Sequence, residues 1–343
     1  MKHLTRRLLL ALPLAVLAVV VSTGLAFAQT TFTFVSTPNP GAAKNHIQSV
    51  AATSNSDVWA VGSFNNTATN PGNGAGGDRP LIEHWNGATW SAVSSPNAST
   101  ASNAANDLER VSADSASDAW AVGNFTKFDP FSSSGPVAHH WNGQAWSAPV
   151  ALPSGVSQLQ TVVALSPTTA WVAGVINNSA SQLLHWNGSK WSIVAGPTLP
   201  RGNTVTFTDL SASSASDIWA IGIGSNGSGS GPLFAHFNGT AWQQITSSTD
   251  VQFFNNDYTT IAAHSSTDAL VVGFNSITGS PAVDQWDGKS WNPVSFALPV
   301  GENLFSGNHG EGATFTPGGD AWIAGGIGGK LLFQGVATVY ILI

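Results

Sequence analysis

Trp59-Ala60-Val61-Gly62 ends one short apolar run, and His84-Trp85-Asn86-Gly87-Ala88-Thr89-Trp90-Ser91 follows it as a turn between tryptophans. The pair returns as Trp120-Ala121-Val122-Gly123 with His140-Trp141-Asn142-Gly143-Gln144-Ala145-Trp146, and as Trp171-Val172-Ala173-Gly174 with His185-Trp186-Asn187-Gly188-Ser189-Lys190-Trp191. A fourth copy reads Trp219-Ala220-Ile221-Gly222 with His236-Phe237-Asn238-Gly239-Thr240-Ala241-Trp242, and a fifth reads Leu270-Val271-Val272-Gly273 with Gln285-Trp286-Asp287-Gly288-Lys289-Ser290-Trp291. The sixth keeps Trp322-Ile323-Ala324-Gly325. Recurrence at a period of roughly 50 residues marks a propeller or solenoid, in which each unit needs its neighbours to bury its apolar faces.

Within the second copy four short runs read as strands, at 108–113, 119–123, 137–141 and 145–150. Ser115-Ala116-Ser117-Asp118 forms a tight turn between the first two, and Asn142-Gly143 suits a two-residue hairpin between the last two. The unit is therefore a four-stranded antiparallel blade, with copies centred on Trp59, Trp120, Trp171, Trp219, Leu270 and Trp322. Phe32-Thr33-Phe34-Val35-Ser36-Thr37-Pro38-Asn39 aligns with Trp90-Ser91-Ala92-Val93-Ser94-Ser95-Pro96-Asn97, a fourth strand without a unit of its own. The sixth unit, conversely, gives out after Leu331-Leu332-Phe333-Gln334-Gly335. The expected fold is all-β: a six-bladed β-propeller of four-stranded antiparallel blades, its ring closed by the N-terminal strand at 31–38, which removes an open sheet edge. Closure by the apolar tail at 336–343, or a count of seven blades, is the alternative.

Lys2, Arg6 and Arg7 precede an apolar run at 8–21, and Ala26-Phe27-Ala28 offers a small-residue cleavage site, so 1–28 is expected to be a cleaved signal peptide. Arg6-Arg7 also fits a twin-arginine route. Residues 29–343 are then a single propeller, secreted, periplasmic or on the cell surface, with no later run of about 20 apolar residues to span a membrane. The chain has no cysteine, so a core without disulfides must stabilise it. Its formal net charge is −7, and three of its eleven basic residues sit in the leader. A chain this acidic is not built to hold nucleic acid or an anionic membrane by its field. It is expected to act as a monomer.

The units resemble kelch-like propellers of the galactose-oxidase type, whose repeats run strand, Gly, strand, turn and then Trp-x-x-hydrophobic-x-x-Pro, as in Trp90-Ser91-Ala92-Val93-Ser94-Ser95-Pro96. Kelch units carry a Gly pair after the second strand, which only Gly325-Gly326 supplies here. The phrase His-Trp-Asn-Gly-x-x-Trp is also similar to the repeats of bacterial propeller lectins that bind sugars. Both resemblances imply binding folds rather than one activity. Galactose oxidase itself needs a cysteine crosslinked to tyrosine; this chain offers Tyr258 and Tyr340 but no Cys. Sialidases need an arginine triad and a Ser-x-Asp-x-Gly-x-Thr-Trp box, and the mature chain has Arg79, Arg110 and Arg201 without the box. A Gly-x-Ser-x-Gly elbow, a phosphate loop and a His-Glu-x-x-His helix are all missing, so no catalytic residue is assigned.

Between second and third strands lie Gly/Asn/Ser-rich stretches at 63–80, 124–136 and 223–232, read as long loops on one face, where binding usually sits. The start of every first strand reaches that same face. Counted back from the second-strand tryptophan, one position holds His46, Asp107, Gln158, Thr206, Asp257 and His309, and the position two residues on holds Gln48, Glu109, Gln160, Thr208, Thr259 and Glu311. In a closed ring blades six, one and two are adjacent, which gathers His46, Gln48, Asp107, Glu109, His309 and Glu311 as a candidate site for sugar hydroxyls. His46, His309 and Glu311 could hold a divalent metal there; no other cofactor is expected. Asp57, Asp118, Asp217, Asp268 and Asp320 read as residues that close turns through their own backbone, the repeated tryptophans as packing between sheets, and His84, His140, His185 and His236 as hydrogen-bonded packing residues. The expected function is exported, non-catalytic binding of a glycan or of a cell-envelope or extracellular protein through the long-loop face. A propeller glycoside hydrolase or lyase and a structural envelope protein are the alternatives.

Overall fold

The computed structural model describes residues 35–66, 77–99, 104–128, 133–199, 204–225, 229–245, 256–278, 280–294, 309–315, 319, 321–327 and 330–335, with backbone alone at 309–311, 322, 324–327 and 330–335. The leader and residues 31–34 of the expected closing strand lie outside them. Residues 35–43 form no strand.

Among the described residues every regular element is a strand. The first sheet contains β1 (Lys44–Ser54), β2 (Asp57–Asn65), β3 (Arg79–Trp85) and β4 (Trp90–Ala92), and the second β5 (Ala104–Ser115), β6 (Asp118–Lys127) and β7 (Ser133–Trp141). The third contains β8 (Val156–Ser166), β9 (Thr169–Ile176), β10 (Ser181–Trp186) and β11 (Trp191–Val194); the fourth, β12 (Thr204–Ser214), β13 (Asp217–Ser225), β14 (Ser230–Phe237) and β15 (Trp242–Ile245). The fifth contains β16 (Asn256–Ser265), β17 (Asp268–Asn275), β18 (Pro281–Trp286) and β19 (Trp291–Pro293), and the sixth β20 (His309–Phe315), β21 (Ala321–Ile327) and β22 (Lys330–Gly335). Each sheet is antiparallel, with strands ordered as in the chain. The second stops at three strands for a local reason. Trp146 makes an isolated bridge to Trp141, and Pro149, with no N–H, stands where Val93 donates to the Ile82 carbonyl at 2.8 Å in the first sheet, so the equivalent bond slips by one residue, Val150 donating to the Ala138 carbonyl at 2.8 Å.

Successive sheets pack face to face in chain order, their first strands lying side by side from β1 to β5, β8, β12, β16 and β20. The core is accordingly a series of interfaces. Trp120, Val122 and Ala138 of the second sheet, for instance, pack on Leu159, Val162, Ala164 and Leu184 of the third. Four second-strand tryptophans are each met edge-on by a tryptophan of the next repeat, Trp59 by Trp146 at 5.2 Å, Trp120 by Trp191 at 4.9 Å, Trp171 by Trp242 at 5.5 Å and Trp219 by Trp291 at 5.6 Å between centroids. Such edge-to-face pairs contribute about 0.5–1.5 kcal/mol beyond the area they bury.

Two sequence readings need correction. Most of 124–136 and 223–232 is paired hairpin arm rather than loop: Asn124 pairs with Pro136 and Lys127 with Ser133, Ile223 with Pro232 and Ser225 with Ser230. Glycine here makes room for a neighbour instead of breaking the strand, since a Cβ on Gly135 would meet the Phe125 ring at 2.6 Å. The Asn-Gly turns, moreover, span four residues between paired tryptophans, not two. Asn86 Oδ1 accepts from the Ala88 and Thr89 N–H groups at 3.0 and 2.9 Å, which leaves a single positive φ, 91° at Gly87.

Candidate functional site

Each first strand is interrupted at the same place by a β-bulge. The register slips between Ile47 and Ser49, Leu108 and Arg110, Leu159 and Thr161, Phe207 and Asp209, Tyr258 and Thr260, and Gly310 and Gly312. The extra residue is Gln48, Glu109, Gln160, Thr208, Thr259 and Glu311, one of the two polar rows seen in the sequence. A bulge turns its residue out of the regular pleat, so this row is re-aimed in the first five sheets. The bulge also explains the glycine inside the second strand of the first five sheets. A Cβ would meet the His46 carbonyl at 1.8 Å from Gly62, that of Asp107 at 2.0 Å from Gly123 and that of Asp257 at 2.0 Å from Gly273.

Along the rows the side chains are not equally engaged. Gln160 Oε1 accepts from the Ser181 hydroxyl at 2.5 Å, Thr208 donates toward the Ile221 and Tyr258 carbonyls at 3.4 Å, and Thr259 donates to the Val272 carbonyl at 3.2 Å. Glu109, half-buried, accepts from Asn124 Nδ2 at 3.0 Å. His46 and Gln48 are exposed and Asp107 half-buried, and none of the three makes a side-chain hydrogen bond among the described residues. Because β1 lies beside β5, the structure brings His46 and Gln48 to the strand adjoining that of Asp107 and Glu109. The backbone of His309 and Glu311 is on β20, beside β16, and their side chains lie outside the described residues. No group of three His, Asp or Glu side chains is placed to hold a metal among the described residues.

At the far end of the sheets the repeated Asp, His and Trp form one unit. His84, His140 and His236 donate from Nε2 to Asp57, Asp118 and Asp217 at 2.6, 2.6 and 2.5 Å, and each imidazole stacks on Trp59, Trp120 or Trp219 with centroids 4.3–4.4 Å apart. The histidines are thus hydrogen-bonded packing groups as the sequence implied, whereas the aspartates bind across the sheet rather than only within their turns. A hydroxyl completes two of them, Thr53 donating to Asp57 and Ser213 to Asp217. Burial raises Asp217, but the hydrogen bonds from His236 and Ser213 outweigh it and hold its carboxyl below the usual range. In the third sheet Thr169 replaces the aspartate, and burial pushes His185 below its ordinary value. Asp320 lies outside the described residues.

Sequence reasoning missed Asp209, half-buried on β12 between sheets. Its carboxylate accepts from Thr161 of the third sheet at 3.1 Å and from the Thr260 hydroxyl and Ile261 N–H of the fifth at 2.9 and 3.0 Å. Burial nonetheless pushes it above the usual carboxylate value. Its aligned counterparts are Ser49, Arg110, Thr161 and Thr260, so a lone acid at this position of the repeat was the available signal.

No protein-family model matches the chain and no curated protein matches its sequence. Solved structures match its fold. YCF48, solved bound to a D1 peptide, superposes with a TM-score of 0.52 at 16% identity, covering 89% of this chain and 82% of its own. A Hadza microbial sialidase gives 0.53 at 10% identity over 84% of this chain and 64% of its own, and a xyloglucanase from Xanthomonas campestris gives 0.51 at 12% over 84% and 44%. This chain therefore spans under two thirds of the sialidase and under half of the xyloglucanase. These neighbours are β-propeller proteins, and at such identities the likeness is one of fold.

Proposed function

We propose that the protein is an exported, non-catalytic binding propeller that holds a glycan at the end of the sheets where β1 and β5 begin. The bulged row carries this reading. It re-aims one polar side chain in each of the first five sheets, and at β1 and β5 His46, Gln48 and Asp107 keep donors and acceptors unspent on described residues. Converging polar groups of this kind suit sugar hydroxyls. The paired arms reaching Lys127 and Ser225 stand at the same end, extending the surface beside the row. On this fold the sialidase and xyloglucanase act on carbohydrate and YCF48 was solved with a peptide, so an extracellular protein is the competing ligand. In this reading the six sheets are six blades and the sixth packs on the first, bringing His309 and Glu311 to His46.

The test is a glycan array probed with the full chain and with a His46→Ala/Gln48→Ala/Asp107→Asn variant. A defined set of glycans bound by the first and lost by the second is expected. Repeating the array with a chelator separates direct contact from a divalent ion held by His46, His309 and Glu311. Identical arrays for the two proteins would remove the site, and a blank array beside capture of an extracellular protein would replace the ligand class.

A further inference from the structure

At the entrance to the first sheet one carboxylate joins an amine to a carboxamide. Lys44 begins β1, Asn65 ends β2, and the two are cross-strand partners, so their side chains leave the same face of the sheet with Cβ atoms about 4.5–5.5 Å apart. Asp78, just before β3, accepts from Lys44 Nζ at 2.5 Å through Oδ2 and from Asn65 Nδ2 at 2.9 Å through Oδ1. The carboxylate is held from behind. The Asp78 carbonyl accepts from the Asn106 N–H of β5 at 2.8 Å, and Gly77 lies so close to β5 that a Cβ there would meet the Ala104 carbonyl at 1.5 Å. Asp78 and Asn65 are 5% and 4% exposed, whereas the Lys44 side chain keeps 43%. An ordinary surface ion pair contributes little and needs neither the buried carboxamide nor the braced backbone.

We propose that these three residues build an intramolecular isopeptide cross-link between Lys44 Nζ and Asn65 Cγ. Asp78 takes a proton from the Lys44 ammonium, and the freed amine attacks Asn65 Cγ to give a tetrahedral centre. The bond from Cγ to Nδ2 then breaks. Asp78 carries two protons in succession from Nζ to Nδ2, so the nitrogen leaves as ammonium, the carboxylate is restored, charge balances and no co-reactant is consumed. Asn65 is the acceptor because attack on Asp78 itself would use up the one group placed to move the protons. The burial of Asn65 keeps water from the new amide. In a chain with no cysteine the bond would clamp the first two strands covalently where no disulfide can.

The experiment is intact-mass spectrometry of the full chain beside Lys44→Arg and Asp78→Ala variants. Arginine keeps a cation for Asp78 but supplies no nucleophilic amine, so this variant stays folded without the bond. The wild type is expected to weigh one ammonia less than its sequence after the same N-terminal processing, and both variants to have their full sequence masses. Proteolysis of the wild type should release a branched peptide joining Lys44 to Asn65. A wild-type chain at full sequence mass, in a preparation whose circular dichroism shows folded β-structure, overturns the proposal and leaves an ion pair.

Discussion

The first sheet and the four after it present the same kind of residue toward the preceding sheet, with opposite results. Val111, Val162, Leu210 and Ile261 are 3–7% exposed; Val50, at the aligned place on β1, is 64% exposed. Ile47 is exposed where Leu108, Leu159, Phe207 and Tyr258 are buried. The strands do not differ in apolar character. What differs is the neighbour, since each later face is covered by the tryptophan-bearing strand of the sheet before it. Burial in this molecule therefore belongs to the interface and not to the sheet, as repeat architectures require.

The harshest way to break that comparison is to empty one complete interface. Trp120 is fully buried, stacked on His140 and met edge-on by Trp186 and Trp191 of the third sheet at 5.0 and 4.9 Å. Trp120→Ala is expected to cost about 3–5 kcal/mol in denaturant unfolding, a large share of a typical total of about 5–15 kcal/mol. A loss below about 1 kcal/mol would show that the tryptophan ladder does not bind the sheets together.

A milder break removes a polar strut. Asp209 ties three sheets, whereas Ser49, its counterpart on β1, receives among the described residues only the Val111 N–H at 3.2 Å. Asp209→Ala leaves buried donors without an acceptor and should cost about 2–3 kcal/mol, with Ser49→Ala well under that. Asp209→Asn adds a pH signature. Because burial raises the folded carboxyl above its unfolded value, its contribution is complete below the ordinary carboxylate value and is lost as pH rises through the folded one. Thermal melts of wild type and Asp209→Asn should therefore diverge upward from that value, the wild type losing ground; parallel curves would mean that Asp209 is not held this way.

These interfaces were largely legible in the sequence because Trp59, Trp120, Trp171 and Trp219 recur with the glycine three residues on, and a fixed period survives any local ambiguity. The bulge was not, for it is a property of register between two strands. Its trace was in plain sight all the same: Gly62 and Gly123 are glycine because a carbonyl of the bulged strand crowds them. The arm at 124–136 was misread because Gly135 signals a loop until Phe125 is seen across from it. Asp209 and the group of Lys44, Asn65 and Asp78 were hidden by distance along the chain; their partners stand 13 to 52 residues apart, in no motif.

The smallest expected effects make the sharpest test of the opening contrast. Val162→Ala removes two buried carbon atoms from the interface of the second and third sheets and should cost about 2 kcal/mol. Val50→Ala makes the same chemical change on the uncovered face of β1. If that face stays open to water the substitution should fall within about 0.5 kcal/mol of wild type, as exposed changes usually do. Closure of the sixth sheet onto the first predicts more: Val50 would then pack as Val162 does, and its loss should approach the same 2 kcal/mol. Exposed apolar rows of this kind mark surfaces made to be covered, so the larger value is expected. Urea unfolding of the two variants beside the wild type, at a protein concentration low enough to exclude association, decides it. A near-zero cost at Val50 together with the full cost at Val162 would leave the first sheet as a true end of the stack and remove the ring from the proposed function.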